Sequence, residues 1–254
     1  MSLVRESERR LADASYTSAF HYKSANHYVI EFPENVRGLT IVELCSGASN
    51  IVKSLSDQGA NAYGVDVLYK QPFKRVERTV QESLDSFHRK ANKARKSIQG
   101  VDLANVSDFA VAINPDLLNA KVNDSSYDRA SQQAAEEFLK DFLKNRSRYV
   151  GNLASNLSFL EDDSVDFMFS IQGVSKFLAS DLDVLNGVVN EALRVLKRNK
   201  ELHLYPWRGR QEAFWNSSSL QNLIAFERSL DQASTEHKNE LTSGEGNRLI
   251  VIKP

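Results

Sequence analysis

The sequence predicts an α/β fold, an open doubly wound sheet whose strands are mainly parallel. Three observations carry that prediction. Short apolar runs alternate with amphipathic helical stripes along most of the chain. The first two runs, Thr40–Cys45 and Asn61–Asp66, flank a single helical stretch. Together they form a β-α-β unit of about 27 residues, a connection that almost always winds right-handed into a parallel sheet. At the other end, a weak strand pattern at Ser234–Leu241 and a strong one at Leu249–Ile252 read as a closing hairpin.

The elements follow in order. Residues Ser7–Ile30 read as short helical pieces rich in Tyr and His, and Pro33, Asn35 and Gly38 mark a turn. Thr40–Cys45 is a buried-strand run that ends in a turn of small residues. Ile51, Val52 and Leu55 give a helix stopped by Gly59. After Asp66, the residues Phe73, Val76, Val80, Leu84, Phe87, Ala91, Ala94 and Ile98 recur at intervals of three and four. They form the apolar stripe of one long helix. A second stripe joins Tyr127, Ala130, Ala134, Phe138 and Phe142, and the acidic, turn-rich stretch Gly100–Ser126 lies between the two. Strands are then expected at Tyr149–Gly151, Val165–Ser170 and Glu201–Tyr205, with helices at Leu182–Leu196 and Leu220–Leu230. This divides the chain into a helical cap at 1–38 and a main domain at 39–254, with a helical insertion at about 70–148.

Composition narrows the function classes. Of 254 residues, 41% are apolar and 26% charged, which suits a single globular domain with a sizeable core. The formal charge is −1, so a polyanion would need a local basic patch rather than the field of the whole protein. Such a patch exists on the long helix, where Lys74–Ser97 holds eight Lys or Arg against three acids. A solvated helix face is the simpler reading of it, and nucleic acid is not the expected partner. A single cysteine, Cys45, rules out an internal disulfide framework and favours a reducing compartment. The first ten residues are charged and lack the apolar core of a secretory signal. No apolar run approaches the roughly 20 residues of a membrane span, so the expected location is the cytoplasm and no membrane partner is expected.

In a doubly wound sheet, ligands bind outside the carboxyl ends of the strands. Two loops there carry chemistry. The small-residue turn Ser46-Gly47-Ala48-Ser49 lets a ligand approach the backbone, and the helix that follows it offers N–H groups to an anion. Asp66, about twenty residues downstream, ends the second strand, where a carboxylate can accept hydrogen bonds from both ribose hydroxyls of a nucleoside. Glu43 stands inside an otherwise apolar strand, and an acid there is costly without a partner.

These residues carry a resemblance. Ile41–Ser49 resembles the first motif of class I S-adenosylmethionine-dependent methyltransferases of the type 11 kind, an acid on the strand followed by a glycine-rich loop. Val65-Asp66 resembles the acidic strand tip of that family, Gly151–Leu153 with Glu161–Phe167 its adenine loop and fourth strand, and Arg194–Leu202 the helix, turn and fifth strand. The resemblance covers residues 39–69 and 149–207 and implies a Rossmann-like, seven-stranded sheet that binds S-adenosyl-L-methionine. It implies that Glu43, Ser46, Gly47, Ala48 and Ser49 hold the amino-acid end of the cofactor. Asp66 would take the ribose and Val67 pack on the adenine, while Asn152 reads the adenine amino group and the Leu153 N–H a ring nitrogen. Ile171 and Gln172 would line the cleft near the methyl group, with Gln172 orienting the acceptor. His21 and Tyr22, in the cap, are the candidates for a base. Cys45 and Ser49 stand where the family has glycines, and Asn152 where it usually has Asp.

The function so implied is methyl transfer to an oxygen or nitrogen of a small molecule. Amino methylation of DNA bases is argued against, because Ser170-Ile171-Gln172-Gly173 replaces the Asn/Asp-Pro-Pro pattern. Cytosine-C5 chemistry lacks its cysteine after the fourth strand, and no clear set of carboxylates marks a metal site. Two alternatives stand beside it: a non-catalytic methyltransferase-like protein whose helical insertion binds a protein partner, and an RNA-directed methyltransferase. The insertion is also the candidate surface for a homodimer.

Overall fold

The computed structural model describes residues 32–97, 125–171, 173–174, 181–205 and 249–253. Six strands pair into one sheet: β1 Thr40–Leu44, β2 Asn61–Val65, β3 Tyr149–Val150, β4 Phe167–Ile171, β5 Glu201–Tyr205 and β6 Leu249–Ile252. Their spatial order is β3-β2-β1-β4-β5-β6. Every neighbouring pair is parallel except β5 with β6. This is the expected Rossmann-like, doubly wound sheet. The expected seventh strand at 234–241, the helix at 220–230 and residues 1–31 of the cap lie outside the described residues, and residues 32–38 are turn and irregular chain.

The strands read as continuous apolar runs because both faces of the sheet are covered. On one face Ile41, Ala62, Phe167 and Phe169 pack against three helices: α1 Ile51–Asp57, α2 Phe73–Ser97 and α3 Ser125–Lys144. On the other, Val42, Leu44, Met168, Leu202 and Leu204 meet Leu185, Val188, Val189, Ala192 and Val195 of α4, Leu182–Val195. The Asp181 carboxylate caps α4 by accepting from the N–H groups of Asp183 and Val184.

The two long stripes between β2 and β3 belong to this core. Val76, Val80 and Leu84 of α2 and Ala134, Phe138 and Phe142 of α3 are buried in the same cluster as the sheet face. Phe138 and Phe142 stack with centroids 5.5 Å apart, and both meet the rings of Tyr69 and Tyr149. The Tyr149 hydroxyl donates to Asp141 at 2.7 Å, which satisfies a polar atom inside the aromatic layer. Helices α2 and α3 therefore form part of the layer that covers the sheet.

At the β4 end the bounds differ from expectation. The strand runs Phe167–Ile171, and Val165 makes only an isolated bridge to Leu196. The cause is local: Asp166 turns aside, its carboxylate accepting from the Thr40 N–H at 2.9 Å and from Lys197 Nζ at 2.7 Å.

Candidate functional site

The sheet order places a switch point between β1 and β4, where the connections leave in opposite directions along the sheet. The loop after β1 lies at this point and begins with strain. Cys45 has φ 52° and Gly47 φ 55°, both in the left-handed region. Glycine occupies that region at no steric cost, whereas a side chain such as that of Cys45 is disfavoured there. Cys45 is held there against Gly173, two residues beyond β4: a Cβ built on Gly173 would lie 2.2 Å from the Cys45 Cβ. The two loops that border the crevice thus touch, and only a glycine fits opposite Cys45. Burial, reinforced by Asp66 and Glu43, pushes the Cys45 thiol far above its usual range.

Beneath the loop lies a polar cluster. Glu43, 3% exposed, sits at the end of β1 on the face covered by α1 to α3. Its Oε2 is 3.0 Å from Ser46 Oγ, and Ser49 makes a second side-chain hydrogen bond to it. Ser46 Oγ is 2.9 Å from the Tyr69 hydroxyl, which is 2.6 Å from the Gly47 carbonyl. Tyr69 lies in the 3₁₀ turn Val67–Lys70 that follows β2. Burial pushes the Glu43 carboxyl up to about 8, against the pull of Ser46 and Ser49 and with a smaller push from Asp66. The cluster needs Gly64 beside it, because a Cβ there would meet Ser46 Oγ at 2.9 Å.

Asp66 caps the 3₁₀ turn. Its Oδ1 accepts from the Leu68 N–H at 2.8 Å and its Oδ2 from the Gly47 N–H at 3.0 Å. The Gly47 N–H is therefore donated to the neighbouring carboxylate. Ser49 Oγ likewise accepts from the Ile51 N–H at 3.1 Å, in place of the ligand expected at that helix start.

The structure brings Glu43, Ser46, Gly47, Ala48, Ser49 and Asp66 into one buried group, with Val67 beside it. Ile171 ends β4 and is 4% exposed. Asn152 and Leu153 follow β3, which pairs with β2, and are half-buried; the Asn152 N–H donates to Val150 O at 2.9 Å. His21, Tyr22 and Gln172 lie outside the described residues. The sequence reading missed Tyr69 and Gly173. Tyr69 follows Asp66 by three residues, and that spacing is the one signal that could have found it.

From Asn152 onward the chain is pinned by one side chain. Arg194 of α4 donates to the carbonyls of Leu157 and Leu160 and to the carboxylates of Glu191 and Asp162, the last at 2.6 Å. Glu191 completes the clamp by accepting from the Leu157 N–H at 2.9 Å. Only a guanidinium presents enough donors in a fixed fork for this set. Arg194→Ala is expected to cost about 1–2 kcal/mol in urea unfolding, the low end for charged hydrogen bonds because the side chain is 31% exposed. Arg194→Lys should recover less than half of that loss, and full recovery would show that charge alone holds the loop.

No family model and no curated protein sequence matches the chain. Among solved structures, a candidate S-adenosyl-L-methionine-dependent methyltransferase of Methanococcus maripaludis is 13% identical, covering 99% of this chain and 91% of its own, with a TM-score of 0.44. A Pyrococcus horikoshii protein is 15% identical over 98% of both chains, with a TM-score of 0.43. Phosphoethanolamine N-methyltransferase 2 of Haemonchus contortus, solved with S-adenosyl-L-methionine, is 11% identical. That match covers 94% of this chain and 44% of the nematode enzyme, with a TM-score of 0.38. The chain is similar in fold to S-adenosylmethionine-dependent methyltransferases. With all three TM-scores below 0.5, the likeness adds nothing to what the sheet order itself establishes.

Proposed function

We propose that the chain binds S-adenosyl-L-methionine in the crevice at the β1–β4 switch point and transfers its methyl group to an oxygen or nitrogen of a small molecule. One observation carries the reading: Asp66, at the carboxyl end of β2, reaches across to the loop after β1. Its two oxygens each hold one backbone N–H, which fixes the carboxylate as an anion. A carboxylate held at the carboxyl end of β2 is placed to accept from a ribose diol. The donor set therefore fits the nucleoside end of the cofactor.

Bound there, the cofactor supplies an electrophilic methyl group on a sulfonium. The chain's own work is to orient and to exclude water, and orientation can supply roughly 7–11 kcal/mol of a barrier. Asp66 and Val67 would hold the ribose and adenine, with Asn152 and Leu153 on the far edge of the base. Gly47, Ala48 and Ser49 would flank the amino-acid end, supported from below by Glu43 and Ser46. Ile171 and Gln172 would border the acceptor side, and His21 or Tyr22 would take a proton where the acceptor carries one. A formal charge of −1 favours a small acceptor over a polyanion. No described helix is long and apolar enough to cross a membrane.

Asp66→Ala is expected to weaken S-adenosyl-L-methionine binding about 100-fold, the worth of two charge-assisted hydrogen bonds. Titration calorimetry measures it, and an unchanged affinity would overturn the ribose assignment.

A further inference from the structure

The contacts among Glu43, Ser46, Tyr69 and Gly47 fix where the protons are. Tyr69 has one hydroxyl proton, and a carbonyl can only accept. That proton therefore goes to the Gly47 oxygen at 2.6 Å. The Tyr69–Ser46 contact is the longer of the two, at 2.9 Å, and a full hydrogen bond there takes the Ser46 proton, donated to the tyrosine oxygen, rather than a share of the Tyr69 proton. The remaining contact, Ser46 Oγ to Glu43 Oε2 at 3.0 Å, has no proton left unless the carboxyl carries one. An ionised Glu43 would leave two buried oxygens facing each other with nothing between them. A neutral one closes the set: its O–H donates to Ser46 and its carbonyl oxygen accepts from Ser49.

We propose that Glu43 is a neutral acid at physiological pH and that the chain Glu43–Ser46–Tyr69–Gly47 is a positioning device, clamping the loop that receives the cofactor. The clamp rests on the reading above for what the loop holds. It does not depend on that reading for the proton order.

Electrostatics point the same way. The described charged group acting on Glu43 is Asp66, of the same sign, and burial opposes ionisation further. The other titratable neighbours are Cys45 in the loop after the strand, Tyr69 in the 3₁₀ turn and Tyr149 on β3, all neutral and held so by burial. From α3 come two acids, Asp141, which accepts from Tyr149, and Glu137, which accepts from Asn50, and neither favours an ionised Glu43. The Glu43 carboxyl lies above its unfolded value of 4.5. Its contribution to stability is therefore present below that value and lost as pH rises through about 8. Above that pH the clamp opens.

Two measurements on the ligand-free full chain test this, with Glu43→Gln as the isosteric control that donates and accepts as a neutral acid does. Infrared difference spectra of the wild type at neutral pH should contain a protonated-carboxyl carbonyl band that disappears above about pH 8 and is absent from the variant. Hydrogen exchange of residues 45–50, corrected for intrinsic rate, should accelerate by up to about tenfold per pH unit between 4.5 and about 8 in the wild type and level off above that. In Glu43→Gln it should stay flat. Absence of the carbonyl band overturns the neutral acid. A band without pH-dependent exchange overturns the clamp. Calorimetry with S-adenosyl-L-methionine at about pH 7 is a separate arm. No binding there, with band and exchange as expected, overturns the methyltransferase reading and leaves the clamp standing.

Discussion

Replacing Phe138 with alanine is expected to destabilise the protein by about 3–5 kcal/mol, a large fraction of the stability of a typical domain. The ring is fully buried and is enclosed by Tyr69, Phe142 and Tyr149 at centroid distances of 6.0, 5.5 and 5.4 Å. None of these neighbours can collapse freely into the void. Tyr69 is tied by its hydroxyl to Gly47 and Ser46, and Tyr149 by its hydroxyl to Asp141. The cavity term therefore adds fully to the lost transfer energy. Leu143, on the same helix but 64% exposed, is the internal control and should change by no more than about 0.5 kcal/mol on truncation. Urea midpoints measure both, provided the slope with denaturant is unchanged. A Phe138→Ala loss below about 1 kcal/mol would mean that α3 is not packed on the sheet layer as described.

The same ring explains why the 73–144 segment was readable in part. Its apolar residues recur with the helical period, so Val76, Val80, Leu84, Ala134, Phe138 and Phe142 could be assigned to buried faces from spacing alone. Periodicity says which face is buried and not what covers it. The segment is the expected helical insertion between the second and third strands, and what spacing does not tell is that both helices share the core of the sheet. The strands were legible for a related reason: a parallel sheet covered on both faces leaves a continuous apolar run, and β5 has the bounds that its run predicts.

The site was legible only where it follows chain order. Asp66 could be placed from its distance to the loop, because a β-α-β unit fixes that spacing. The donors that hold it could not, since Gly47 and Leu68 meet it across a turn whose geometry no spacing encodes. Glu43 was conspicuous as an acid in an apolar strand, and the cost of burying it called for partners. The answer is a proton count over Ser46, Ser49 and Tyr69, residues three to 26 positions away that meet only once β1 and β2 are paired. Gly173 is separated from Cys45 by most of the domain, and sheet order alone makes them neighbours.

That last contact yields a prediction with a sign that packing alone would not give. Gly173→Ala is expected to cost about 1–3 kcal/mol, because the new methyl would lie 2.2 Å from the Cys45 Cβ and 3.0 Å from the Cys45 carbonyl oxygen. Cys45→Gly alone should be nearly neutral. It relieves the left-handed strain at φ 52°, worth about 1 kcal/mol, and returns a similar amount as backbone entropy and lost thiol packing. In the double variant the methyl of residue 173 enters the space the cysteine Cβ leaves, so most of the Gly173→Ala cost disappears. The coupling energy from chemical unfolding of the four proteins should be about 2 kcal/mol. Additivity within about 0.5 kcal/mol would show that the loops after β1 and β4 are not in contact. Coupling of the expected size would mean that the Cys45 side chain and the glycine opposite it form one unit. The crevice at the switch point would then be narrowed by a cysteine that this glycine alone accommodates, and any ligand held by the β1 loop would sense a substitution after β4.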